Sequence, residues 1–187
     1  MRLNPEKPFE NYILLFFFVA LFLSGCSTTK KTKTPDPREI EVLDWILTNN
    51  DFIFYKTITE DWKPIYLYLQ PDGLPFIGDC LFTPLLKDKE LGLNKEDLNH
   101  LQREIKSQTP VNLNNIPIRN KDKLTRKKLV KQTWGAPETT YISMPVLLND
   151  ASIAVYYMKS DSSGEFRVLK KIDGVWRIHG FCMTWIS

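Results

Sequence analysis

Two histidines, His100 and His179, supply all the imidazole in this chain. Neither sits in a His-x-x-x-His spacing and no Cys-x-x-Cys occurs, so the patterns that hold zinc are missing and no metal is expected. Glu96, His100 and Glu104 recur at i, i+4 and i+8 on one helix face. Such a face either binds a metal weakly or is a solvated surface opposite an apolar stripe. Hydrolytic chemistry is equally poorly supplied. There is no Gly-x-Ser-x-Gly elbow, and His179 falls in a stretch that reads as a hairpin strand. The adjacent acids Glu60-Asp61 fall in a turn, and Glu96-Asp97 in a helix first turn, where carboxylates suit the macrodipole. No Gly-x-Gly occurs, so there is no phosphate loop and no cofactor is expected. The catalytic set is empty.

Aromatic and basic side chains are plentiful. Trp45, Trp62, Trp134, Trp176 and Trp185 can line a groove for a glycan or peptide, or fill the core of a small domain. Tyr66 and Tyr68 share one strand face, as a binding platform or packed under a helix. The formal charge of +3 is too mild to point to nucleic acid, but it is unevenly spread. Residues 119–131 hold seven basic side chains against Asp122 alone, a net +6. Within that stretch Arg126, Lys127 and Lys128 are candidate contacts for anionic lipid or a polyanionic envelope polymer; the alternative is a solvated face.

The N-terminus gives an address. Tyr12 to Leu23 is a twelve-residue run without charge, too short for a membrane span of about 20 residues and the length of a signal-peptide h-region. It ends in Leu23-Ser24-Gly25-Cys26, which resembles the lipobox of bacterial lipoprotein precursors. The resemblance covers residues 1–26 and implies cleavage before Cys26, then acylation of its sulfur and new amino group. Each buried CH₂ contributes about 0.8 kcal/mol, so two or three acyl chains anchor a protein without a spanning helix. In that family Ser after the Cys goes with the outer membrane. The following tether, residues 26–35, is basic and rich in Lys, Thr and Pro, which favours the periplasmic face and a flexible leash. With Cys26 acylated, Cys80 and Cys182 form an even pair in an oxidising compartment. A disulfide between them would close a loop of about 100 residues, worth up to roughly 4.7 kcal/mol; the competing reading is two separate buried thiols.

These residues have to be positioned by the remaining 36–187, enough for one domain. Asp36-Pro37-Arg38-Glu39 is a capping box with Pro at N1, and Ile40, Leu43 and Leu47 continue at helical spacing, which predicts a helix over 37–48. Residues 52–58 and 65–70 read as strands, separated by a turn at 60–64, and 74–86 as irregular chain or a short edge strand. Asn94 and Asp97 cap a second helix whose buried stripe is Leu98, Leu101 and Ile105, ended by Pro110. Residues 107–120 read as a loop, and 121–132 as a short helix on Leu124, Leu129 and Val130. Strands are predicted at 141–148, 152–159, 165–172, 175–179 and 181–186. Asp173-Gly174 is the type I′ hairpin dipeptide; its register would pair Ile172 with Val175, Lys171 with Trp176, Leu169 with Ile178 and Phe166 with Phe181.

The C-terminal strings Ser143-Met144-Pro145-Val146, Asn149-Asp150, Ala154-Val155-Tyr156-Tyr157 and Leu169-Lys170-Lys171-Ile172-Asp173-Gly174-Val175-Trp176-Arg177-Ile178 are similar to the ending of many small bacterial lipoproteins of unknown function. There a Ser-x-Pro strand, a Tyr-Tyr strand and a Leu-Lys-Lys-x-x-Gly-x-Trp hairpin recur. The resemblance implies shape and no activity, and Ser160–Gly164 here replaces a Cys/Gly-rich insertion of those relatives. The expected architecture is α+β: an antiparallel meander packed with two or three short amphipathic helices, plus an N-terminal signal-peptide helix. The expected organisation is signal peptide 1–25, tether 26–35 and one domain at 36–187. The expected role is a non-catalytic binding or structural lipoprotein of the envelope, attached to the membrane through lipidated Cys26. The alternative is an enzyme acting on cell-wall or glycan material, which needs a pocket with convergent acids or His.

Overall fold

The computed structural model describes residues 34–59, 86, 88–129 and 136–186. Lys33–Ser187 form one compact unit. Two helices, α1 (Pro37–Thr48) and α2 (Lys95–Ser107), accompany strands β1 (Ile53–Phe54), β2 (Leu124–Thr125), β3 (Tyr141–Ile142), β4 (Val146–Leu148), β5 (Ile153–Lys159), β6 (Ser163–Ile172) and β7 (Val175–Ile186). The fold is α+β, with β3 to β7 forming an antiparallel sheet and β1–β2 a separate parallel pair. No helix among the described residues is long and apolar enough to cross a membrane.

Both helices start where their caps dictate. The Asp36 side chain accepts the Arg38 amide at 2.8 Å while Glu39 accepts the Asp36 amide at 2.8 Å. Asn94 accepts the Glu96 and Asp97 amides, and Asp97 in return accepts the Asn94 amide. These reciprocal bonds satisfy amides that a helix start leaves unpaired.

The helices serve opposite faces of the sheet. Val155, Tyr157, Phe166, Val168 and Cys182 form a core with Leu101 and Ile105 of α2. Ala154, Tyr156, Leu169 and Trp176 form the other with Val42, Leu43, Ile46 and Leu47 of α1. The alternation along β5 is the period-two rule with both sides apolar, so all of Ile153–Tyr157 is buried.

Three expectations need correction. The stretch 141–148 is two strands rather than one, because Pro145 cannot donate to a ladder. Ser143, fully buried, bridges the gap: its amide donates to the Tyr157 carbonyl at 2.9 Å and its hydroxyl oxygen accepts the Tyr157 amide at 3.0 Å. The stretch 175–186 is one strand rather than two. Its register matches the hairpin expectation from Ile172↔Val175 to Leu169↔Ile178, then slips: Val168 faces Gly180, leaving His179 as an extra residue, and Phe166 faces Cys182 instead of Phe181. A bulge of one residue exchanges the faces beyond it, so Cys182 enters the core and Phe181 is left 59% exposed. Finally, the described part of the expected helix 121–132, residues 121–129, is not α-helical. A 3₁₀ turn at Lys121–Lys123 leads into β2 and irregular backbone, since like charges crowd the positions that would be helical neighbours.

The 107–120 loop contains a 3₁₀ turn at Leu113–Asn115. Asp173 and Gly174 both have positive φ, 51° and 77°, as the type I′ turn requires. Predicted strand 65–70 and the irregular stretch before Leu86 lie outside the described residues. Cys182 is disulfide-bonded, and its partner also lies outside them.

Two outcomes follow from buried polar groups on β5. Ser143→Ala removes the only side-chain acceptor for a buried amide and should lower unfolding stability by about 1–3 kcal/mol in urea titration; an unchanged midpoint would mean the backbone closes the gap unaided. Tyr156 is fully buried, and burial pushes its phenol up to about 12, against the nearby Arg167 guanidinium, which acts the other way. The unfolded phenol ionises near 10.0 while the native one keeps its proton. Stability should therefore be intact below pH 10 and fall by on the order of 2 kcal/mol as pH rises towards 12. Tyr156→Phe should remove that decline and cost little at pH 7, because the hydroxyl makes no hydrogen bond of normal geometry.

Candidate functional site

The sequence motifs meet in two clefts. The first, about 440 Å³, lies between the start of α1, the outer face of α2 and the β4–β5 turn. It brings in Glu96, His100 and Glu104, the i, i+4, i+8 set, which lines a polar cleft open to solvent, Glu96 being exposed. Across it stand Asp36 and Glu39. Among the described residues no three His, Cys, Asp or Glu side chains form a metal-holding group. The acids have structural work: Asp36, Glu39 and Asp97 cap the helices, and Asp97 also accepts the Asn149 amide at 3.1 Å. The turn it holds is strained, with Asn149, Asp150 and Ala151 all at positive φ.

His179 lies elsewhere. Its Nε2 is 3.1 Å from Asp88 Oδ2. The Glu90 amide, more than His179, holds the Asp88 carboxyl below the usual carboxylate range. Lys170 also donates to the Glu90 carbonyl, so the pair clips the 88–91 turn onto the sheet.

The second cleft, about 490 Å³, is built by the segment after α1. Residues 52–58 were expected as one strand. Only Ile53–Phe54 is regular, with the backbone bending at Phe52 and Tyr55, but bonds to three neighbouring segments pin the chain. Phe54 donates to Thr140 at 2.8 Å, Tyr55 to Thr125 at 3.0 Å, Thr57 to Val111 at 2.9 Å and Ile58 to Ile142 at 2.8 Å. That places Phe54 and Lys56, two residues apart, in the same cleft lining as Tyr141 and its cross-strand partner Lys159, with Phe54 against Tyr141.

Three rings in a row, with a cation at each end, run across this region. Arg126 sits 5.7 Å from the Tyr55 ring centre. Tyr55 and Phe54 are 4.8 Å apart, Phe54 and Tyr141 5.0 Å, and Lys159 lies 6.0 Å from Tyr141. These are cation–π and tilted aromatic distances. Lys128 joins the cleft and pairs with Asp161 at 3.1 Å.

The sequence-predicted basic residues divide accordingly. Arg126, Lys127 and Lys128 are exposed. Lys128 lines the cleft and Arg126 adjoins it; Lys127 does neither. Arg119 pairs with Asp44 at 3.7 Å, and Lys123 with Asp51, so part of the net +6 is balanced locally. Lys56, Lys159 and Tyr141 went unrecognised in the sequence, where nothing marks three positions far apart as one wall. Of the tryptophans, Trp176 is buried and Trp45 packs against the α1 core; neither lines this cleft. Trp62, Trp134, Tyr66 and Tyr68 lie outside the described residues, as do Cys26 and Cys80.

No protein-family model, curated protein or solved structure matches the chain. The site is therefore judged on its own geometry. Among the described residues, three ammonium groups and two half-exposed rings, with Asp161 the one acid, make a cationic amphipathic binding wall.

One buried hydroxyl holds Lys128 in place. Thr139, 1% exposed, accepts the Leu129 amide at 2.7 Å and donates to the Lys127 carbonyl at 3.0 Å. Thr139→Val keeps the volume but strands the Leu129 amide and leaves the Lys127 carbonyl with the Thr125 hydroxyl at 3.2 Å. It should cost about 1–3 kcal/mol and speed hydrogen exchange at Leu129; an unchanged exchange rate there would remove Thr139 as the clamp.

Proposed function

We propose that this protein is a lipid-anchored component of the bacterial envelope that binds a partner without transforming it. The observation that carries the binding role is the cationic, aromatic cleft walled by Lys56, Lys128, Lys159, Phe54 and Tyr141. The Leu23-Ser24-Gly25-Cys26 motif supports an acylated Cys26, the signal peptide and the outer membrane, facing the periplasm. With Cys26 acylated, Cys80 is left as the disulfide partner of Cys182. An anionic partner suits the cleft; nucleic acid does not suit the address.

The rival, an enzyme acting on cell-wall or glycan material, has the first cleft in its favour, where Glu96, His100 and Glu104 face the start of α1. Against it, the Asp36, Glu39 and Asp97 carboxylates there are engaged by helix-start amides.

The expected result for Cys26→Ala is loss of the acyl mass and either unprocessed precursor or protein released from membranes. Unchanged mass and fractionation would refute the anchor. For the binding role, envelope components retained by the wild-type chain should be lost with Lys56→Ala/Lys159→Ala. Equal retention by both would take binding away from this cleft.

A further inference from the structure

The second cleft combines two features that seldom serve the same ligand. A small inorganic anion needs the lysines but not the rings, and an acyl chain needs the rings but not the lysines. Phe54 and Tyr141 are half-buried side by side in the cleft lining, their ring centres 5.0 Å apart and tilted at 43°. Lys56, Lys128 and Lys159 line the same cleft, Lys159 over the Tyr141 ring. Lysine is a compact, hydrated point charge on a flexible stem, suited to an anion that stays partly in water. The row continues past the cleft through Tyr55 to Arg126, which adds a second ring–cation pair to that of Tyr141 and Lys159.

We propose that this cleft binds an acidic saccharide, its sugar rings stacked by their C–H faces on Phe54 and Tyr141 and its carboxylate or phosphate groups met by Lys56, Lys128 and Lys159. The row out to Arg126 gives a second sugar unit the same pairing of ring and cation. This rests on the binding role above and names its ligand class. A flat anionic membrane would draw on Arg126, Lys127 and Lys128 alike and would have no use for a concave aromatic wall. The segregation of Lys127 from the cleft favours the saccharide.

The test uses the full chain in neutral phosphatidylcholine nanodiscs, titrated with tetragalacturonate, with uncharged maltotetraose and with inorganic phosphate. Tetragalacturonate should bind and the other two should not. Lys56→Ala/Lys159→Ala should weaken binding by about tenfold or more, in a salt-sensitive way. Tyr141→Ala should weaken it by several-fold while Tyr141→Phe retains it, with circular dichroism showing that each variant is folded. Lys127→Ala should leave it unchanged. Equal binding of maltotetraose, or a Tyr141→Ala variant that binds like the wild type, would overturn the stacked mode. No tetragalacturonate binding, with slower acetylation of Lys127 and Lys128 once phosphatidylglycerol is added to the discs, would assign the face to lipid and overturn the proposal. Absence of saccharide binding alongside cleft-dependent retention of another envelope component would remove the saccharide and leave the binding role standing. Loss of both would remove both.

Discussion

Everything in the folded unit depends on keeping one strand dry on two sides. Ile153 to Tyr157 are buried on both faces of the sheet, and that run borders water on neither side; only Met158 and Lys159 at its end are partly exposed. One helix is too few to cover it. α1 and α2 are required on opposite faces, and each is fixed at its start by a reciprocal cap. The caps in turn set what lies around them: Asp97 holds the β4–β5 turn as well as the helix, so the approach of α2 and the end of β4 are decided by one carboxylate.

The elements written in short stretches of sequence were readable. Asp36-Pro37-Arg38-Glu39 and Asn94 to Asp97 specify helix starts by side chains that reach their own backbone, and Asp173-Gly174 specifies a turn by the φ values it tolerates. What depends on the partner strand was not readable. Nothing in Arg177 to Cys182 says that His179 will be the surplus residue, because a bulge is chosen by what packs on either face: here Cys182 in the core and Phe181 out of it. The interruption at Pro145 was visible as a proline, but the role of Ser143 in spanning it is a contact with Tyr157, fourteen residues away. The basic run 119–131 looked like one charged surface. Ion pairs to Asp44, Asp51 and Asp161 divide it into balanced and unbalanced parts.

The cleft itself shows the same limit more sharply. Among the described residues its walls come from four places in the chain, the segment after α1, Pro110, the basic run, and the β3 and β5 neighbourhood around Tyr141 and Lys159. Arg126, Lys127 and Lys128 stood out because they are adjacent. Lys56 and Lys159 are single lysines in strand-like surroundings, unremarked until backbone pairing brings Phe54 beside Thr140 and Tyr141 beside Lys159. Sequence density of charge therefore located the neighbourhood of the cleft and missed most of its lining.

Chain order has a consequence for how the molecule is born. Synthesis delivers both helices before any part of β5, β6 or β7 exists. A helix of 12 or 13 residues is marginal alone in water, and until the sheet arrives the leucine and isoleucine stripes of α1 and α2 have nothing to rest on. The meander then closes by neighbour-to-neighbour pairing, which is fast because the loops are short, and supplies both missing faces at once. The nascent chain thus passes through an interval in which two apolar stripes are open to chaperones, and that interval ends only with the emergence of the last strand.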